Sequence, residues 1–278
     1  MKVGIILKEL ISLKDVSKSF AGKLVFNNAT MSIKTTTPTV IMGKNGCGKS
    51  TLLKIVAGIL EHTTGEISRM PNIKVSFAPD RFPKLPFKVG EYMLHMGRIQ
   101  GLSDEIINKY MDFQFNELGI PKSIKEQKIY KCSKGTIQKV NIMQAFLMES
   151  DLLVMDEPFS GLDESSIDRV IESLAQISNS DKTAIILSCH EKLLAQRVTD
   201  NLYVFNGQSP VKFSDVSNRL IVKIIPGNNN LSFLGNLAIS IIETHELHEI
   251  IIKKENLKEI LFLLLENEHE IYSVNPIV

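Results

Sequence analysis

Over the first two-thirds of the chain, short β-branched runs alternate with longer stretches in which apolar residues recur every three to four positions. Apolar runs of four to six residues have strand length, whereas recurrence at i, i+3 and i+4 gathers apolar side chains on one side of a helix. Strands are therefore expected over 11–16, 29–34, 39–42, 74–77, 152–155, 183–187 and 202–205. Helices are expected over 49–58, 104–118, 136–148, 165–177 and 191–198, the first with Leu52, Leu53, Ile55 and Val56 in one stripe. Strands separated by helices predict a mostly parallel sheet covered on its faces, an α/β architecture.

Two interruptions shape this plan. Pro79, Pro83 and Pro86, with basic residues between them, break regular structure across 78–87 and lead into a more helical insertion that ends near Tyr130. After Gly207 and Pro210 the composition shifts: a strand over 219–225, a loop at 226–230, a helix over 257–266 and a closing strand at 271–274 make a small α+β appendage. The expected division is a first domain of residues 1–214 and a second of residues 215–278. Leu261, Phe262, Leu263, Leu264 and Leu265 read as the apolar core of the appended helix.

Composition narrows the class. The 278 residues are 44% hydrophobic and 23% charged, as in an ordinary globular chain. Lys plus Arg is 32 against 31 Asp plus Glu, a formal charge of +1, so no basic surface speaks for nucleic-acid binding. No apolar run approaches the roughly 18 residues of a membrane span, and the apolar stretch after Lys2 is cut short by Lys8 and Glu9, unlike a secretory leader. The expectation is a soluble cytosolic chain. The three cysteines, Cys47, Cys132 and Cys189, are scattered, which suits free thiols rather than a disulfide framework or a zinc site. His245, His248 and His269, among many acids, read as part of a solvated surface.

The strongest chemical signal is Gly43, Lys44, Asn45, Gly46, Cys47, Gly48, Lys49, Ser50 and Thr51, a full G-x-x-x-x-G-K-[ST] match between an expected strand and an expected helix. Glycines there let successive backbone N–H groups turn inward around phosphate oxygens, and the helix N-terminus adds partial positive charge. Lys49 supplies a point charge for β- and γ-phosphates, and the Ser50 hydroxyl is a Mg²⁺ ligand. The apolar run 152–155 ends in Asp156 and Glu157. A carboxylate at that strand end suits Asp156 to the same Mg²⁺, and Glu157 after it suits the general base that polarises an attacking water.

Residues 131–163 extend the pattern. Cys132, Ser133, Lys134, Gly135 and Thr136, ending 20 residues before Asp156, resemble the LSGGQ signature of ABC ATPases. Ser160, Gly161, Leu162 and Asp163 resemble that family's D-loop, and His190 its switch histidine. Phe20, 23 residues before Gly43, resembles the aromatic that stacks on adenine. The resemblance spans residues 10–207. It implies a P-loop NTPase fold of ABC type, with an antiparallel β subdomain and a helical signature subdomain, that binds ATP and Mg²⁺. It also implies a head-to-tail pair of cassettes, a homodimer or two similar chains, with two ATP molecules between them and Ser133 and Gly135 meeting the second cassette's nucleotide.

The sequence departs from the family pattern in places. Lys134 and Thr136 stand where Gly and Gln are usual, Cys132 where Leu is usual, Lys44 for Pro and Cys47 for Ala. The Ser133, Lys134, Gly135 form resembles a variant of bacterial export ATPases. Asp80 stands where the family has the Q-loop Gln; it is a shorter group that can ligate Mg²⁺ or hold water. Cys47, among inward-facing N–H groups and beside Lys49, is expected to label with maleimide and to be protected by MgATP. The implied function is the ATP-hydrolysing subunit of an exporter. Its permease is a separate transmembrane chain, gripped by the insertion of residues 80–130 on the inner face of the cell membrane. Two alternatives stand beside it: a soluble ABC ATPase acting on ribosomes or DNA, and a binding-only regulatory cassette.

Overall fold

The computed structural model describes residues 9–35, 37–180, 182–214, 218–225, 230–244 and 247–276. Residues 226–229 of the expected loop, His245 and the N-terminal apolar stretch lie outside them. The chain divides into two compact units, Met1–Pro210 and Val211–Val278.

In the first unit, β1 (Glu9–Phe20), β2 (Lys23–Lys34) and β4 (Thr64–Arg69) form an antiparallel sheet of order β2-β1-β4. β1 and β2 extend well beyond the expected strands. β4 was not expected at all: its largely exposed Thr-Gly-Glu-Ile-Ser-Arg sequence has no apolar alternation, and it is recruited by pairing with β1. The second sheet runs β5 (Val75–Ala78), β6 (Leu152–Met155), β7 (Ala184–Cys189), β3 (Thr39–Met42) and β8 (Leu202–Val204). Their pairings are parallel. Every residue of β3, β6 and β7 is buried, which is why these strands read as nearly continuous apolar runs, with Thr39 and Ser188 the buried polar residues among them.

Helices α1 (Lys49–Val56), α5 (Glu164–Asn179) and α6 (Lys192–Val198) accompany this sheet. Leu52, Leu53, Ile55 and Val56 of α1 join Leu152, Val154 and Ile186 of the parallel strands and Leu13, Phe26 and Ile33 of the antiparallel sheet in one core. Each such side chain contributes about 1.5–3 kcal/mol on burial, so α1 is anchored by its apolar stripe and its first turn is free to face a ligand. The insertion contains α2 (Val89–Ile99), which the sequence reading did not delimit, and α3 (Asp104–Glu117), followed by α4 (Lys134–Phe146). Lys88 N–H donates to the Glu91 carboxylate at 2.9 Å and starts α2. Ser103 and Ser133 cap α3 and α4 by accepting from Ile106 and Thr136 N–H.

The second unit opens with the two-residue strand β9 (Val211–Lys212). β10 (Arg219–Ile224), β11 (Ala238–Ile242), β12 (His248–Lys253) and β13 (Ile271–Pro276) pair antiparallel in the order β11-β12-β10-β13. Alternation is clean: Leu220, Val222, Ile224, Ile250 and Ile252 share a core with Ile260 and Leu264 of the helix Leu257–Glu266. The apolar run 261–265 is therefore not uniformly core. Helical periodicity buries Ile260 and Leu264, four residues apart, and leaves Phe262 63% and Leu265 64% exposed. Among the described residues, no helix is long and apolar enough to cross a membrane.

Candidate active site

The register of the parallel strands decides what meets what. Ala78 lies opposite Met155, Met155 opposite Leu187, and Met42 opposite Cys189. All four strands point the same way, so the residues just past their C-terminal ends converge: Gly43 after β3, Asp80 after β5, Asp156 after β6 and His190 after β7. The crevice beyond such strand ends is where open α/β sheets bind ligands. Here it is a cavity of about 460 Å³ lined by Asn45, Gly46, Gly48, Lys49, Ser50, Thr51, Asp80, Arg81, Glu157, Ser160 and His190, among others.

The loop from Gly43 to Gly48 owes its shape to two glycines. A Cβ on Gly43 would sit 2.1 Å from the Phe205 carbonyl oxygen, so only glycine lets the loop pass the end of β8. Gly48 caps α1 with φ 104°, left-handed backbone that glycine adopts without strain. Lys49 is 6% exposed and folds back over the loop, its ammonium donating to the carbonyls of Gly43 at 2.7 Å and Lys44 at 3.3 Å. The same nitrogen lies 3.5 Å from Glu157 Oε1.

Two adjacent carboxylates are treated differently. Asp156 is 2% exposed and accepts from the Ser188 hydroxyl at 2.7 Å, with the Ser50 hydroxyl close by. Burial nevertheless pushes its carboxyl above its ordinary value, with like charge from Asp80 and Glu157 adding to the rise against the hydroxyl bonds. Glu157 has φ 49°, rare for a side chain of its size and costing on the order of 1–2 kcal/mol. This backbone turns the carboxylate so that Oε2 accepts from His190 Nδ1 at 2.8 Å while Oε1 faces Lys49. Oε1 is buried and has no hydrogen-bond partner.

Other sequence candidates stand elsewhere. Phe20 is 47% exposed, with the Lys18 ammonium 4.7 Å above its ring. Ser133 and Gly135 open α4, and Lys134 Nζ donates to Ser160 Oγ at 3.1 Å, joining the signature segment to the D-loop. Asp163 is the N-cap of α5: its Oδ1 accepts from Ser166 N–H and from the hydroxyls of Ser165 and Ser166, which hold its pKa down to about 2. The Cys47 thiol donates to the Phe205 carbonyl at 3.2 Å and packs on the core. Cys189 is buried, and its thiol is pushed up to about 11, chiefly by desolvation.

A family model described as ABC transporter matches residues 26–160. The chain is 30% identical over 211 residues to the uncharacterized ABC transporter ATP-binding protein MJ1023 of Methanocaldococcus jannaschii, covering 76% of this chain and 79% of that protein. It belongs to the ABC transporter ATP-binding proteins. Zinc import ATP-binding protein ZnuC of Rickettsia conorii is 29% identical, with 72% of this chain and 84% of that one covered. A solved structure of the ATP binding subunit of an ABC transporter superposes with a TM-score of 0.65 at 26% identity, covering 74% of this chain and 91% of that one. The chain is thus an ATP-binding ABC ATPase subunit of a transporter.

Within this ABC ATPase, sequence reading missed the side chains that hold the acidic pair. Ser188 lies on β7 and is fully buried; its hydroxyl donates to Asp156 Oδ1 at 2.7 Å and accepts from Glu157 N–H at 2.8 Å. From α4, Gln138, Asn141 and Gln144 donate to the carbonyls of Pro158, Pro79 and Phe77 at 2.9, 2.7 and 2.9 Å. These residues recur every three positions along one helix face, a spacing visible in the sequence, but nothing there marks what they would touch. The ABC ATPase signature helix is thereby tied to both loops that carry cavity carboxylates.

Proposed function

We propose that this chain energises a transporter whose membrane-spanning permease is a separate polypeptide, hydrolysing ATP with Glu157 as general base. The observation that carries this reading is the position of Glu157 at the cavity wall: one oxygen is held by His190, and the other, buried and without a hydrogen bond, lies 3.5 Å from the Lys49 ammonium. A carboxylate so held accepts the proton of a water attacking the γ-phosphate, and His190 keeps it oriented.

The residues present fit a Mg²⁺–nucleotide. Gly46 and Gly48 adopt left-handed backbone, and no atom lies within 4 Å of a Cβ built on Gly46, leaving its peptide accessible to phosphate. Ser50 and Asp156, close enough for the hydroxyl to act on the carboxylate, are the hard oxygen pair that suits Mg²⁺, with Asp80 as a third oxygen across the cavity. Mg²⁺ supplies charge neutralisation on the β- and γ-phosphate oxygens when bound. Gly43, Lys44, Asn45, Cys47 and Thr51 complete the loop that cradles the phosphates, Lys49 swings from its carbonyl partners to them, and Phe20 stacks on the base. Ser133, Gly135 and Asp163 face the nucleotide of a second cassette in a pair holding two ATP molecules. The subunit sits on the inner face of the membrane through its permease, and no nucleic acid takes part.

Export is the direction we favour, on the Ser133, Lys134, Gly135 form of the signature and the presence of an appended unit. Zinc import is the second reading, because relatives at 27–29% identity carry that name. Affinity capture of Glu157→Gln with MgATP from detergent-solubilised native membranes tests the assignment. A stoichiometric multi-span chain is expected, whereas ribosomal proteins or nucleic acid in its place would sink the transporter reading. Deletion strains then test the second reading: loss of radioactive zinc uptake supports zinc import, and unchanged uptake removes it.

A further inference from the structure

Both main-chain groups of Glu157 are hydrogen-bonded by buried side chains from different elements, and its carbonyl also accepts from Ser160 N–H at 3.1 Å within the turn. Its N–H donates to Ser188 Oγ at 2.8 Å. The single proton of that hydroxyl goes to Asp156 Oδ1 at 2.7 Å, so Ser188 donates to one carboxylate while anchoring the backbone of the next residue. On the other side, the Gln138 amide donates to the Glu157 carbonyl at 3.4 Å and to the Pro158 carbonyl at 2.9 Å. Ser188 is 0% and Gln138 5% exposed, so neither bond competes with water. Between these two anchors the backbone of Glu157 takes φ 49°. A strained main-chain conformation at a carboxylate persists when its surroundings over-determine it, and here the anchors come from β7, two residues before His190, and from the second turn of α4.

We propose that Ser188 and Gln138 are positioning residues that clamp the main chain of Glu157 in the left-handed conformation, and so hold its carboxylate between Lys49 and His190. This rests on Glu157 acting as the base. Neither residue touches nucleotide; each acts through Glu157. Because Gln138 belongs to the helix that begins at the signature segment, movement of α4 shifts the base directly, through one amide and two carbonyls. Relaxing either anchor lets φ return to negative values and moves the carboxylate away from the attacking water.

Such a displacement costs turnover rather than binding. Misplacement by about 1 Å can cost roughly 100-fold in rate, and each anchor shares the task. Steady-state ATP turnover of the whole chain is measured for Ser188→Ala, Ser188→Thr and Gln138→Met, alone and added to Glu157→Gln, with nucleotide affinity measured by equilibrium titration. Ser188→Ala and Gln138→Met are expected to lower kcat roughly 10- to 100-fold, with KM and affinity changed by less than about twofold. Ser188→Thr, which keeps a hydroxyl that both donates and accepts, is expected to restore most of kcat. No further loss is expected in the Glu157→Gln background.

A lowered melting temperature with kcat near wild type, or a raised KM with kcat intact, overturns the clamp and leaves two ordinary buried hydrogen bonds. Should Ser188→Ala not fold, Gln138→Met decides in the same way. The underlying reading fails separately: if Glu157→Gln itself turns over normally, Glu157 is not the base and the clamp falls with it. If Glu157→Gln is inactive while Ser188→Ala and Gln138→Met are not impaired, the clamp alone falls.

Discussion

The cavity of the first unit and the core of the second treat their buried polar residues differently. At the cavity of the first, Asp156, Ser188, Gln138 and Lys49 are nearly inaccessible to water, and each is hydrogen-bonded within the network. In the second unit, His269 is 3% exposed and stacks on Phe233 with ring centroids 5.7 Å apart. Both of its ring nitrogens, and Nδ1 of His248, are buried without partners. At the cavity, hydrogen bonds hold the reacting groups in place and leave Glu157 Oε1 without one, 3.5 Å from the Lys49 ammonium, whereas the His269 ring has no hydrogen bond to offset its burial. The contrast follows from sheet type. Parallel strands align their C-terminal ends, so polar residues from four of them meet and pair. The antiparallel appended sheet places its loops at both ends and buries one apolar face.

The sharpest way to break this comparison is to disable the first network. Glu157→Gln is expected to lower ATP turnover about 10²–10⁴-fold, read by phosphate release, without unfolding, since Lys49 keeps its bonds to the Gly43 and Lys44 carbonyls. Turnover near wild type would reduce the cavity to a binding site. Next comes the core of the second unit. Ile260→Ala, at a fully buried position, is expected to cost about 2–5 kcal/mol in that unit, measured by thermal denaturation of the whole chain, while kcat is retained. An equal loss of kcat would show that the appended unit is needed for catalysis.

Acid sharpens the contrast more gently. Burial lowers the pKa of His269 below its ordinary 6.5, with His248 adding to the effect. The unfolded chain therefore binds the proton more readily than the folded one, and stability present above about pH 6.5 declines as pH falls towards the lowered value. Melting curves of wild type and His269→Leu should converge or cross between pH 8 and pH 5, with only wild type losing this contribution. Parallel curves would exclude His269 as the source of acid sensitivity. The smallest effect belongs to Asp163, whose depressed pKa of about 2 reflects its cap on α5. Its contribution is present above the ordinary carboxylate value and lost as pH falls through about 2, so Asp163→Ala should lower the melting temperature slightly at neutral pH. An unchanged melting temperature would assign the cap no role in stability.

Legibility in the sequence followed the physics of each element. Strands β3 and β6 and the helix Leu257–Glu266 have the expected bounds because their apolar patterns are local. β4 was illegible because pairing with β1, rather than side-chain burial, makes it a strand. β12 escaped because a three-isoleucine run is interrupted by charges at both ends. The phosphate loop was legible because glycine positions in one short segment encode it. Ser188 and Gln138 were not, since a serine in an apolar strand and a glutamine in a helix acquire their meaning from carbonyls and carboxylates brought to them by other elements.

By itself, then, the sequence determined the nucleotide loop, the acidic pair and the alternation of strand and helix, because each is written in consecutive residues. Tertiary structure decided the rest. Parallel register brings Lys49, at the start of α1, and His190, just past β7, to 3.5 and 2.8 Å from the Glu157 carboxylate. Packing turns Cys47 towards Phe205 and occupies Asp163 as a cap. Two buried side chains, 50 residues apart, meet on the backbone of one glutamate. Such contacts depend on distances through space that local pattern does not carry, and they are what set the position of the base.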